Sequence, residues 1–208
     1  ETNNIEALFF GNAGLLDSEK EDHYFKDLHF RYYYLLQKYQ LNKPIIAPVQ
    51  FFRHRPDNFP TIRLSQLAIL YQSQHNLFSK IIASDSVNSM YQIFGVSVSL
   101  YWLNHYQVDK VSPKKKKLLS KSFIDLLIIN TILPIKFAYN HTIGKDNSEE
   151  LMQIVSEIAS EKNTIVDKFN FFGIPSKSAY ESQSLLQLKN EYCNKNSCLH
   201  CAIGVELI

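Results

Sequence analysis

Between Pro60 and Gly95 the chain contains neither glycine nor proline, and the same holds between Pro113 and Pro134, between Gly144 and Gly173, and between Pro175 and Gly204. Uninterrupted stretches of this length favour helices, because the residues that most often end one are missing. All 208 residues include only six glycines and seven prolines. So few glycines cannot supply the turns of a β-barrel, the repeat of a collagen or a flexible linker. The hydrophobic fraction of 45% suits a globular chain and not a disordered one. The expected fold class is all-α: a single compact helical domain over residues 1–208, with about seven helices and a short C-terminal cysteine-containing turn.

Apolar spacing places the helices. Phe25, Leu28, Tyr32, Leu35, Leu36 and Tyr39 follow the i, i+3, i+4, i+7 pattern of a one-sided helix. Ser18 and Glu21 form a capping-box pair at its start. Leu64, Leu67, Ala68 and Tyr71 make a second stripe after Pro60 and Thr61. Leu151, Ile154, Val155 and Ile158 make a third, with Asn147 or Ser148 as cap. Leu185, Leu188 and Tyr192 make a fourth, opened by a second capping box, Ser178 with Glu181. Leu118 to Phe137 is apolar on most sides and reads as the most buried helix. Asp125, Asn130, Pro134 and Lys136 lie within its apolar part, arguing against a membrane span and for a kink at Pro134. Val96, Val98, Leu100 and Trp102 alternate with Ser97, Ser99 and Tyr101, as in a short strand or an irregular buried segment.

Cys193, Cys198 and Cys201 form a C-x4-C-x2-C pattern. A C-x2-C pair can bring two thiolates to one metal ion, and a third can join from the end of the preceding helix. Zinc would need a fourth ligand. His200 is adjacent, and His23, His29, His54, His75, His105 and His141 are further candidates. The pattern is similar to the iron–sulfur loop of helical DNA glycosylases of the endonuclease III type, with one cysteine fewer and a shorter first gap. Zinc therefore stands ahead of iron–sulfur. Redox chemistry and plain structural thiols are the other readings.

Two basic clusters are candidates for nucleic-acid contact. Arg53, Arg55 and Arg63 are interleaved with Phe51, Phe52 and Phe59, an arrangement that can hold single strands or can buttress a loop through backbone carbonyls. Lys114, Lys115, Lys116 and Lys117, with Lys110, Lys121 and Asp109, give a local charge of +5. Pro113 suits a first helical position after a Ser112 cap. Four lysines in that first turn would oppose the helix dipole, a cost that a phosphate partner or simple solvation would offset. The segment Asp17–Asp27 carries −3, so the net +2 conceals a bipolar surface. Trp102, His105 and Tyr106 form a W-x-x-H-Y group in which the histidine serves as a base or is bonded inside the core. No P-loop, G-x-S-x-G or H-E-x-x-H string is present, so no catalytic residue is assigned.

The first residue is Glu1, so the chain reads as part of a longer protein. Three clustered cysteines do not suggest a secreted disulfide framework, and a cytoplasmic setting is expected.

Several strings together resemble the bacterial domain-of-unknown-function family 2851, in its C-terminal half. They are Asn4–Leu16, Arg55–Arg63 with Gln66–Ala68, Tyr101–Tyr106, Ile129–Pro134 with Phe137–Tyr139, and Cys193–Gly204. The resemblance implies a partner, an N-terminal half of nuclease-like character. The helical domain would then be a non-catalytic accessory module that assists that half in binding DNA or RNA, with no membrane role. A structural or protein-interaction module and a metalloenzyme using the cysteine cluster are the alternatives.

Overall fold

The computed structural model describes residues 2–44, 47 and 49–206. It is mostly helical, as expected, but it holds two compact units instead of one domain, and more helices than seven. Unit 1 comprises Glu1–Ile81 and Tyr91–Lys121; unit 2 comprises Ile82–Met90 and Ser122–Ile208. The surplus consists of short helices, such as α4 (Leu77–Ala83) and α5 (Val87–Phe94), the second with Val87, Met90 and Phe94 buried at i, i+3 and i+7. The chain passes between units within these two and again between Lys121 and Ser122.

Unit 1 is built on α1 (Thr2–Asn12), α2 (His23–Tyr39) and α3 (Pro60–Ser73), with α1 lying against both others. Its core joins Ala7 and Phe10 of α1, Phe25, Leu28 and Tyr32 of α2, Ile62 of α3, and Leu16, Val98 and Trp102. Gly11 sets how closely α1 meets α2. A Cβ there would lie 2.3 Å from the Tyr32 ring. The predicted α2 stripe holds from Phe25 to Leu36 but not at Tyr39, which is exposed, and its cap is Asp22, whose side chain accepts from the Phe25 amide, and not Ser18. The predicted α3 stripe is half right: Ala68 is buried and Leu64 packs against the core. Leu67 and Tyr71 are exposed, while Thr61, Ile62, Ser65, Gln66, Ala68 and Leu70 face inward. Three of those buried positions, Thr61, Ser65 and Gln66, are polar, which hides the face from an apolar count. All three are bonded: Thr61 Oγ1 donates to the Tyr106 carbonyl, Gln66 Nε2 donates to the Lys117 carbonyl and Ser65 Oγ accepts from the Ser99 amide.

Val96–Trp102 is not a strand. Val96, Val98 and Trp102 are buried in an irregular run ending in a 3-10 turn, Tyr101–Leu103. The strands are β1 (His105–Gln107) and β2 (Lys110–Val111), a small antiparallel hairpin. Asp109 takes φ 64° at its turn, as a tight hairpin requires. The lysine run that follows is not a helix. Residues 112–120 run without helical structure, and the Ser112, Lys115 and Leu119 amides donate to the carbonyls of Asn104, Leu103 and Val96.

Unit 2 begins its longer part with one continuous helix, Lys121–Thr142. It consists of α6 (Lys121–Leu127), a π turn (Ile128–Ile132) and α7 (Leu133–Thr142). The wide turn sits directly before Pro134, which has no N–H to donate, so the change of pitch has a local cause. Ile124, Ile128, Ile132, Leu133, Lys136 and Asn140 are buried, whereas Leu126, Ile135, Phe137 and Tyr139 are exposed. The helix is therefore one-sided and not the most buried element. By length and composition alone it is long and apolar enough to cross a membrane. Against its buried face, Lys136 is 2% exposed and donates to the carbonyls of Ile82 and Ser84 and to Glu150 at 3.0 Å.

Glu150 lies on α8 (Ser148–Glu157), and α9 (Thr164–Phe171) and α10 (Ala179–Gln187) follow. Leu151, Ile154 and Ile158 are buried as the sequence indicated. The Ser178–Glu181 capping box forms at α10: Ser178 Oγ accepts from the Glu181 amide, and Glu181 bonds back to the amide of Lys177, one residue before the cap. A π turn (Leu188–Cys193), a 3-10 turn (Cys198–His200) and α11 (Ala202–Glu206) complete the described chain.

Candidate functional site

Unit 1 contains a cavity of ≈ 300 Å³ lined by Phe10, Phe25, Phe51, Tyr24 and Trp102, with Leu15, Leu16, Leu28 and Val108 among its apolar walls. Its polar lining comes from Ser18, Lys20, Thr61, Gln107 and Lys110. A concave site with mostly apolar walls and few polar groups is the usual form of a small-ligand pocket. Its wall is rigid because its aromatic members are bonded to one another. Trp102 Nε1 donates to the Tyr24 hydroxyl at 3.0 Å, and that hydroxyl donates to Glu6 Oε2 at 2.7 Å. Tyr24 stacks on Tyr101 at 3.9 Å between ring centroids, and Tyr101 stacks on His105 at 4.0 Å. The Tyr101 hydroxyl donates to Asp22, the residue that also caps α2.

Glu6 is fully buried, and its Oε1 has no partner at hydrogen-bonding distance. Burial pushes its carboxyl above the usual carboxylate range; the hydroxyls of Ser65, Tyr24 and Ser99 pull the other way and do not win. Burial, followed by the Glu6 charge and hydrogen bond, pushes the Tyr24 phenol far up, so it stays a neutral donor. Nothing in the local sequence around Glu6 marks it as buried. The contact to Tyr24 only arises when α1 and α2 pack.

The structure brings the two basic clusters together. Lys115 Nζ lies 2.7 Å from Asp57 Oδ2, and the Tyr106 hydroxyl donates to Asp57 Oδ1 at 2.9 Å. Asp57 belongs to the loop that carries Arg53 and Arg55, in the 3-10 turn Pro56–Asn58. Lys115 holds the Asp57 carboxyl below the usual range. Arg63 is drawn inward and donates to the side-chain oxygens of Asn58 and Gln66. Lys117 is 3% exposed: it donates to the Trp102 carbonyl, and to that of His105 at 3.0 Å, with its ammonium 4.0 Å from the Tyr106 ring centroid. Burial lowers its pKa. Arg53 lies over the Phe52 ring, and Arg53, Arg55, Lys114 and Lys116 are exposed. Among the described residues, Arg55, Lys110, Lys114 and Lys116 have no ion pair.

His105 and Tyr106 have roles in this scaffold. His105 is buried, with Nδ1 2.9 Å from the Tyr101 carbonyl, and Tyr106 lies between Asp57 and Lys117. The cysteines lie in unit 2. Cys193 and Cys198 are exposed, Cys201 is buried, and all three are free thiols. Among the described residues, no group of three or more His, Cys, Asp or Glu side chains is placed to hold a metal ion.

The chain matches the family described as protein of unknown function, DUF2851, over residues 1–164, and it belongs to that family. The match ends before Cys193–Gly204, so that string lies outside the matched residues. No curated protein and no solved structure matches the chain.

Proposed function

We propose, with membership of a family of unknown function as the premise, that this chain is a non-catalytic accessory module. In this reading it binds single-stranded nucleic acid through unit 1. The observation that carries it is the Asp57–Lys115 pair, which sets the Arg53–Arg55 loop beside the Lys110–Lys116 segment, next to an aromatic-walled cavity. Exposed cations along a track bind phosphates, and an aromatic recess accepts an unstacked base; together they are the usual elements of single-strand binding. Arg53, Arg55, Lys110, Lys114 and Lys116 would follow the backbone, with one base in the cavity. The partner in this reading is an N-terminal nuclease-like half, with any catalytic carboxylates lying there.

The test is a titration of labelled single- and double-stranded oligonucleotides at two salt concentrations. Salt-dependent binding that favours the single strand is expected. Equal binding of duplex, or no salt-dependent binding, overturns the reading.

A further inference from the structure

Unit 2 contains a second recess, independent of the proposed nucleic-acid track. Its volume is ≈ 310 Å³, and its lining is Thr164, Ile165, Lys168, Phe169, Phe172, Lys189 and Cys193. The volume is at the lower end of the range for small-ligand pockets, about 300–1,000 Å³. Its floor is apolar: Ile165, Phe169 and Phe172 come from α9 and the residue after it. Phe172 is largely exposed and meets Phe171 edge-on at 5.5 Å, so the apolar surface continues beyond the recess. Two cations come from different elements, Lys168 from α9 and Lys189 from the π turn. Among the described residues neither side-chain ammonium has an ion pair or a hydrogen bond. The nearest acid in sequence to Lys189, Glu191, is paired with Lys195.

We infer that this recess binds an aliphatic carboxylate of medium chain length. The alkyl chain would lie on Ile165, Phe169 and Phe172, and the carboxylate would sit between the two lysine ammonium groups. An apolar floor alone would accept any hydrocarbon. Two uncompensated positive charges beside it select one that ends in an anion, because each ammonium is an ionic donor with no protein acceptor. A phosphate would satisfy the charges but leave the apolar floor exposed. A neutral alcohol would cover the floor but leave the charges unanswered.

Cys193 lines the same recess and is exposed, so it reports occupancy directly. The rate of Cys193 alkylation by iodoacetamide is read peptide by peptide by mass spectrometry, with Cys198 as the internal control. Octanoate is expected to slow Cys193 several-fold at neutral pH and to leave Cys198 unchanged, and octanol at equal concentration is expected to have little effect. In the Lys168→Gln, Lys189→Gln double variant the octanoate protection is expected to disappear. Equal protection by octanol, protection that survives in the double variant, or no protection at all overturns the inference.

Discussion

Lys115 and Asp57 are 58 positions apart, and their ion pair at 2.7 Å joins two basic segments that the sequence shows only separately. Both side chains are more than half exposed, so the pair contributes position more than stability. The tighter connection lies beneath it. Arg63 links Asn58 to Gln66, Gln66 donates to the Lys117 carbonyl, and the Lys117 ammonium holds the turn at Trp102. The exposed cations are therefore carried on a scaffold that is itself built from cations.

Asp57→Asn should change stability only slightly at neutral pH, within about 1 kcal/mol. The sign with pH follows from the lowered carboxyl. Its contribution is present above the unfolded aspartate pKa and is lost as pH falls through the folded value. Thermal denaturation between pH 3 and 7 should show wild type and variant converging at the acid end. A gap that persists there would contradict the assignment.

Lys117→Met keeps the stem and removes the ammonium, leaving the Trp102 and His105 carbonyls without that donor. At about 1–3 kcal/mol per unsatisfied buried group, the loss should be about 2–4 kcal/mol in chemical denaturation. The native state also releases this proton more readily than the unfolded chain. Wild-type stability should gain from Lys117 as pH rises from its folded pKa towards the unfolded lysine value. The variant should lack that gain, and a variant as stable as wild type would rule out the buried role.

Gly11→Ala should destabilise unit 1 by about 1–3 kcal/mol, because the added methyl would meet the Tyr32 ring at 2.3 Å. Shortening the ring side, as in Gly11→Ala with Tyr32→Leu, should recover part of the loss. Urea midpoints of wild type, the two single variants and the double variant test it, and additive losses would place the clash elsewhere.

The helices with correct spacing in the sequence are those whose buried face is apolar throughout. The α2 and α8 stripes and the α10 capping box could be read because each depends on neighbours within four residues. The α3 face could not, since Ser65 and Gln66 are buried within it. The lysine run showed the same difficulty in sharper form. Four adjacent lysines look alike, yet Lys117 is buried, Lys115 is paired, and Lys114 and Lys116 are exposed. What separates them is carbonyls and a carboxylate supplied from elsewhere in the chain. The cavity was illegible for a similar reason, as its aromatic wall is drawn from positions 10, 24, 25, 51 and 102.

Glu6 offers the most direct probe of the cavity wall. Its carboxyl is raised by burial, so its contribution to stability is fully present below the unfolded glutamate pKa and is lost as pH rises through the folded value. Above the unfolded pKa the native state must either take up a proton or hold a buried charge with one unpartnered oxygen. Glu6→Gln removes the choice. Its amide carbonyl can still accept from Tyr24, and its NH2 can donate towards the hydroxyls of Ser65 and Ser99. The variant should therefore gain on wild type as pH rises from 4 to 8, and thermal midpoints measured across that range should diverge. Parallel curves would mean that Glu6 does not titrate differently on folding. Tryptophan fluorescence supplies an independent readout, because Trp102 is the chain's single tryptophan and is bonded to Glu6 through Tyr24. Its wild-type emission should shift with the same midpoint as the stability difference, and in Glu6→Gln the shift should be absent.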